Sequence, residues 1–323
     1  MPSCFSSSSD GASAIITRLL AAAAFAAHLS AAGAAEHRIV SFTLENDFFA
    51  GYDQHYTNGM QAAFLADAPF AWSADPQMVV AIGQRMYTPA NSDRALPDPH
   101  DRPYAGWLYF MTDIRTRAGG GVIDHLTVTA GVVGPASGAR RTQDLFHHVS
   151  RAPASGGWDA QLGNEPTLML GYERAWPGFL QAETAGGQVD LSLRASATIG
   201  TPLTYAGAGA VLRFGRHLPS DIPTTHISLG PPRDGFRGAA QFGWYAWIGA
   251  DAHAIARNVF VQGNTFRDSA GVELRPYGID AQAGIAAAWP TARVGFTLVH
   301  RSREFVGQGG ADKFGQLALS FAY

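Results

Sequence analysis

The run Glu45-Asn46-Asp47-Phe48-Phe49 sets a carboxylate next to an amide at the end of an alternating stretch. Oxygen ligands of this kind suit a hard cation such as Ca²⁺. The Asn-Asp pair also favours a strand-ending turn, so the residues alone leave both readings open. Asp53-Gln54-His55-Tyr56-Thr57-Asn58-Gly59 follows and reads equally as a turn into the next strand. Further along, Gln143-Asp144-Leu145-Phe146-His147-His148 places Gln143 one helical turn before His147. A histidine in a long connection can act as a general base near neutral pH, or simply face water; by residue type His148 is an equal candidate. In Asp101-Arg102-Pro103-Tyr104-Ala105-Gly106-Trp107, Arg102 could grip a phosphate or pair with Asp101, while Tyr104 and Trp107 suit an interfacial aromatic belt.

The elements that must position these residues have a period of two. Between 189 and 199, Val189, Leu191, Leu193, Ala195, Ala197 and Ile199 take one phase, and Asp190, Ser192, Arg194, Ser196 and Thr198 the other. That is one apolar and one polar face of an extended strand. The chain ends in the same way, with Leu317, Leu319, Phe321 and Tyr323 in one phase. Weaker copies cover 37–45, 57–66, 77–87, 104–116, 122–133, 166–175, 204–214, 241–254, 275–288 and 291–302. With 189–199 and 314–323 this predicts about twelve strands, many long enough to cross a bilayer when tilted (about 9–11 residues). Such strands must close on themselves, because lipid cannot satisfy an open edge. The predicted fold is all-β, a closed antiparallel transmembrane barrel, with a short helix within 143–149 in an outward loop. If both termini are periplasmic, the outward connections include 46–56, 88–103 and 134–165. The connection 215–238 is also long but falls on the other side, which the alternation does not explain.

Composition agrees. Of 323 residues, 46% are hydrophobic and only 15% charged, against roughly 25% in soluble domains. A net charge of −3 without a basic run argues against a nucleic-acid binder. Arg18, the apolar run Leu19–Ala27 and the small residues to Ala35 predict a signal peptide over 1–35, with the barrel over 36–323. The single cysteine, Cys4, falls in that leader. Lys313 is the only lysine, so lysine chemistry has almost no candidates. There is no G-x-S-x-G elbow and no H-E-x-x-H.

Six segments occur together and in order: Glu45–Phe49, Tyr56–Gly59, Asp101–Trp107, Gly134–Gly138, Gly157–Asp159 with Asn164–Pro166, and Gly263–Ser269. Taken together they resemble the lipid A 3′-O-deacylase family of Gram-negative outer membranes. The resemblance implies a twelve-stranded barrel whose active site lies near the outer rim, roofed by loop structure. It matches the family's Asn-Asp pair to Asn46 and Asp47, its threonine to Thr57, and its catalytic histidine to His147 rather than His148. It also implies Ca²⁺ as cofactor, held by Asp47 and Asn46, and lipid A in lipopolysaccharide as substrate. Two family positions do not carry over. A lysine in the loop after the third strand is absent, leaving Arg94 and Arg102 as candidates for the substrate phosphate. A glutamate shortly after the histidine is replaced by Ser150-Arg151-Ala152-Pro153.

The expected reaction is ester hydrolysis, with His147 activating water and a cation polarising the carbonyl. An outer-membrane phospholipase and a non-enzymatic channel or structural barrel are the competing readings. A monomer, inserted by the barrel-assembly machinery, is expected.

Overall fold

The computed structural model describes residues 38–323 apart from 51–54, 69–75, 151–154, 220–228, 231, 233–235 and 237. The expected leader, 1–35, lies outside the described residues. Twelve strands form: β1 (Ile39–Asn46), β2 (His55–Asp67), β3 (Gln77–Thr88), β4 (Ala105–Arg117), β5 (Ile123–Val133), β6 (Glu165–Thr184), β7 (Gly187–Gly200), β8 (Leu203–Arg216), β9 (Gly243–Asn258), β10 (Tyr277–Ala288), β11 (Ala292–Arg301) and β12 (Asp312–Ala322). Each pairs with its sequence neighbours, and β1 pairs antiparallel with β12 to close the barrel. Closure leaves no open strand edge, as a lipid-embedded sheet requires.

β6 runs past its expected end at 175 to Thr184. Pro177 and Gly178 disfavour a regular ladder at this point. The structure absorbs them in an irregularity between Trp176 and Leu180, after which the pairing with β7 resumes.

The alternation sorts the side chains. Asp190, Ser192, Arg213, Asp251, Asp280 and Arg301 point into the lumen and are buried. There they form ion pairs such as Arg301–Asp280 at 2.7 Å and Arg213–Asp190 at 2.5 Å. The opposite phase carries exposed Phe42, Ile82, Phe110, Leu170, Ile248 and Leu298, an apolar outer surface of the kind a bilayer covers.

The unexplained connection between β8 and β9 has a physical account. Leu229, Gly230, Pro232 and Phe236 of this connection enter the lumen. Arg85 of β3 donates to the carbonyls of Leu229 (2.6 Å) and Gly230 (2.9 Å), and Gln61 of β2 donates to that of Pro232 (2.8 Å). Phe236 is fully buried beneath the Arg293 guanidinium, 4.9 Å from its ring centre. At the other end α2 (Val259–Gln262) caps the lumen, with Phe260 stacked on Tyr87 at 4.2 Å. The interior is therefore filled from both ends.

α1 (Ala139–Ser150) is the helix expected in the β5–β6 connection, three turns long where one or two were expected. A short 3-10 turn, Pro135–Ser137, leads into it through Gly138, whose φ of 72° suits glycine. α1 packs against β3 and β4. It can come close because Gly106 has no side chain: a Cβ there would lie 2.3 Å from both Ala139 Cβ and Ser137 Oγ.

Candidate active site

Arg38 and Tyr323 lie at one end of the barrel, where Tyr323 N–H donates to Arg38 C=O at 3.0 Å. The residues singled out from the sequence lie at the other end. Glu45 and Asn46 are adjacent, so the strand turns them to opposite faces. Glu45 faces the lumen, where it accepts from Gln316 at 2.9 Å and from Tyr56. Asn46 therefore faces the outer wall. Its Oδ1 accepts from Phe48 N–H at 2.8 Å, which turns the chain into the 3-10 segment Asp47–Ala50. That segment folds over the outside of the barrel, with Phe49 edge-on to Phe296 of β11 at 5.8 Å. Asp47 sits at its start and is buried.

On β2 the pairing with β3 runs Tyr56↔Tyr87 and then Asn58↔Met86. Thr57 is the extra residue of a bulge, a feature that re-aims a side chain. Its hydroxyl lies 2.8 Å from that of Thr88. Asn58 is the register partner of Asn46, so it too faces outward. It is nonetheless only 3% exposed. Along this wall the outward phase is apolar lower down (Phe42, Leu44, Met60, Ile82) and turns polar at the rim (Asn46, Asn58, Gln84, Thr88). A polar patch on the lipid-side wall needs a cover.

α1 supplies cover over β3 and β4. Ala139, Gln143 and His147 are spaced by four, so they share one helix face. Ala139 and Gln143 are buried against the barrel, which turns His147 toward the wall as well. Trp158 Nε1 donates to Gln143 Oε1 at 2.5 Å, and Trp158 packs on Tyr104, 5.1 Å between ring centres. Tyr104 in turn donates to Ser92 C=O at 2.7 Å. The loop after β3 thus sets the helix that carries His147. Several buried atoms on this wall and helix have no hydrogen-bond partner among the described residues: His147 Nδ1, Gln143 Nε2, Gln84 Oε1, and both polar atoms of Asn58. Stranding buried polar atoms costs about 1–3 kcal/mol each, so an arrangement of this kind marks a place for a polar ligand or for water.

Asn46 and Asp47 lie at the outer end of β1, Thr57 in the bulge of β2, and His147 on α1, which packs against β3 and β4. One candidate departs from the expectation. Arg102 is fully buried: it pairs with Glu304 at 2.9 Å, donates to Phe260 C=O and lies 4.7 Å over the Tyr87 ring. It is the keystone of the α2 cap and offers nothing to a phosphate. Arg94 remains open, its side chain 59% exposed and only 4.0 Å from Asp98. Asn58 and Gln84 were passed over in the sequence. The signal for both was present, a polar residue in the apolar phase of a strand. Two of the quoted segments serve as ties: Glu165 accepts from Asn264 (3.0 Å) and from Thr265 N–H (2.7 Å), joining the β5–β6 and β9–β10 connections.

The comparisons with known proteins come down to one family. The profile of a family described as "Outer membrane protein LpxR" matches residues 16–323. The chain belongs to the LpxR family. Its place is the outer membrane of a Gram-negative bacterium. The solved structure of LpxR from Salmonella typhimurium is similar at a TM-score of 0.74 and 17% identity, over 88% of this chain and 99% of that one. That likeness supports the barrel fold. The β domain of the Bordetella autotransporter BrkA matches at a TM-score of 0.42 and 10% identity, over 88% and 98%. No curated protein matches the chain. The fold expected from the family is the one observed, with twelve strands and, among the described residues, the three-turn loop helix α1.

Proposed function

We propose that this LpxR-family protein is a lipid A 3′-O-deacylase, an ester hydrolase of the outer leaflet. The observation that carries the reading is the set of buried, unpartnered polar atoms on the lipid-facing wall and α1: Asn58 Nδ2 and Oδ1, Gln84 Oε1, Gln143 Nε2 and His147 Nδ1. A substrate held by its acyl chains in the membrane reaches that wall sideways, without entering the barrel. Phe236 and the Leu229 and Gly230 segment held by Arg85 occupy the lumen, which counts against the channel reading.

In the reaction the His147 imidazole takes a proton from water, and the water oxygen bonds to the ester carbonyl carbon. The tetrahedral species then expels the 3′ alkoxide, which takes the proton back from the imidazolium. Thr57, fixed by Thr88, orients the water or the ester. Ca²⁺ fits the donor chemistry of the site: Asp47 and Asn46 offer oxygens, and such a cation when bound polarises a carbonyl. No group of three or more His, Cys, Asp or Glu suited to a metal is present among the described residues. One carboxylate among neutral oxygens makes a weak calcium site, so activity requires added Ca²⁺ and falls on chelation. The outward Leu317, Leu319 and Phe321 before Tyr323 suit insertion by the barrel-assembly machinery, and the chain acts as a monomer.

The test is mass analysis of lipid A from a host lacking this activity. Expression of the protein removes the 3′ acyloxyacyl group; His147→Ala and Asp47→Ala abolish the removal while the barrel stays heat-modifiable on gels. Unchanged deacylation in both variants refutes the assignment, and release of fatty acid from phospholipid but not from lipid A replaces it with a phospholipase.

A further inference from the structure

We propose that Asn58 is a catalytic residue, its side-chain N–H₂ holding the oxygen that becomes negative as the ester is attacked. The proposal rests on the ester-hydrolase reading above and adds to it a specific oxyanion donor.

Four observations converge on Asn58. It faces outward, opposite Asn46 in the β1–β2 register and opposite Met86 in β3. It follows the bulged Thr57. It is buried although it points to the lipid side, and its neighbour in β3, Met86, packs with Tyr104, Ala139 and Trp158. Finally, neither Nδ2 nor Oδ1 has a partner among the described residues. The other polar groups around it are at least half committed. Gln84 donates to Ser137 C=O at 2.7 Å, Gln143 accepts from Trp158, and Asn46 accepts from Phe48 N–H. Among these side chains Asn58 alone has its whole carboxamide uncommitted.

The chemistry of an ester completes the argument. An acyl ester has acceptors and no donors, so the complement of its carbonyl oxygen is an N–H. At the rim the described outward residues of β1–β3 are Asn46, Asn58, Gln84, Met86 and Thr88, none of them cationic. Beside any cation held by Asp47 and Asn46, the donor that the wall itself can offer to the charge developing on the carbonyl oxygen is therefore a neutral one. When water attacks, its proton passes to His147, the new C–O bond forms, and the carbonyl π pair moves onto the oxygen facing Asn58 Nδ2. When the intermediate collapses, that pair re-forms the carbonyl and the alkoxide leaves with the proton from His147. A preorganised donor of this kind is worth about 10²–10³ in rate.

The experiment is steady-state deacylation of purified lipid A in detergent micelles with saturating Ca²⁺, comparing wild type, Asn58→Ala and Asn58→Asp. Asn58→Asp keeps the shape and the acceptor but loses the donor. The expected result is a fall in kcat of about 10²-fold or more in both variants, with KM within about twofold and heat-modifiability intact. Asn58→Ala with an unchanged kcat overturns the proposal. So does Asn58→Asp that keeps its rate while needing less Ca²⁺, which identifies a metal ligand instead. If Asn58→Ala fails to fold, the isosteric Asn58→Asp decides. The same comparison run on a phospholipid ester separates the two readings. A wild type active only there sinks the lipid A assignment, and the fall in kcat of the two variants on phospholipid then upholds or overturns the role of Asn58. A wild type inactive on both esters refutes both.

Discussion

His55 and His147 stand at the same rim, and the protein treats them in opposite ways. His55 faces inward at the start of β2, buried, with Nδ1 2.6 Å from Asp312 and Nε2 3.4 Å from Asp101. Phe305 lies edge-on to its ring at 5.6 Å. Both nitrogens have carboxylate partners, and the ring pins three separate pieces of chain: β2, β12 and the loop after β3. His147 sits on the other side of the same wall with a buried Nδ1 that meets no partner among the described residues. Orphaned atoms occur on both faces. In the lumen some belong to groups bonded elsewhere, such as Arg85, Asp312 and Gln316, while Trp247 Nε1 and His253 Nδ1 also lack a partner among the described residues. On the outer wall at the rim both polar atoms of one carboxamide, Asn58, are left open. The saturated His55 clamp holds the barrel together; open groups on the lipid side are what a substrate can use.

Exchanging the damage between the two histidines gives the largest expected effects. His147→Ala removes lipid A deacylation and leaves the unfolding midpoint in urea where it was. His55→Ala does the reverse. Removing one partner of a buried ion pair costs about 3–5 kcal/mol, so its midpoint drops while the folded fraction keeps most of its rate. A stability loss in His147→Ala equal to that in His55→Ala would erase the distinction.

The barrel was legible in the sequence because alternation reports directly on two-faced strands. All twelve stretches became strands, and 189–199 falls wholly within β7 (Gly187–Gly200). What was not legible depends on contacts between distant residues. Nothing near Arg102 announces Glu304, 202 positions away. Nothing in 215–238 announces that Arg85 and Gln61 will receive it inside the lumen. The bulge at Thr57 is likewise set by the register with β3. The side of the wall on which the site lies could have been read from the phase of Asn46 relative to Glu45, since one faces the lumen only if the other does not.

A smaller effect sharpens the same contrast through pH. Asp101 lies in the loop outside the strands. Burial pushes its carboxyl up, but the hydrogen bond with His55 and those from the N–H groups of Ala90 and Arg102 outweigh this and hold it below the ordinary carboxylate value. A depressed carboxylate contributes stability that is full above the unfolded value of about 4 and lost as pH falls through the folded value. The urea midpoint of the wild type therefore declines as pH drops below about 4. In Asp101→Asn the midpoint is lower at pH 7 and the decline is shallower, because that group no longer titrates. Parallel curves would show that Asp101 contributes nothing to the clamp.

The smallest effect compares two arginines from one loop. Arg102, sealed under α2, holds the cap; Arg94, exposed, can meet an anionic headgroup. An exposed charge contact is worth about 0.2–1 kcal/mol, so Arg94→Gln raises KM for lipid A by about two- to fivefold with kcat unchanged. Added salt raises the wild-type KM toward the variant's value, since an exposed pair is screened. Arg102→Gln instead leaves Glu304 buried without its partner and lowers the unfolding midpoint, with no salt-dependent change in KM. If Arg94→Gln leaves KM untouched at low salt, the phosphate of the substrate is met elsewhere on the rim, and the loop after β3 acts only through the Ser92–Tyr104–Trp158–Gln143 chain that sets α1.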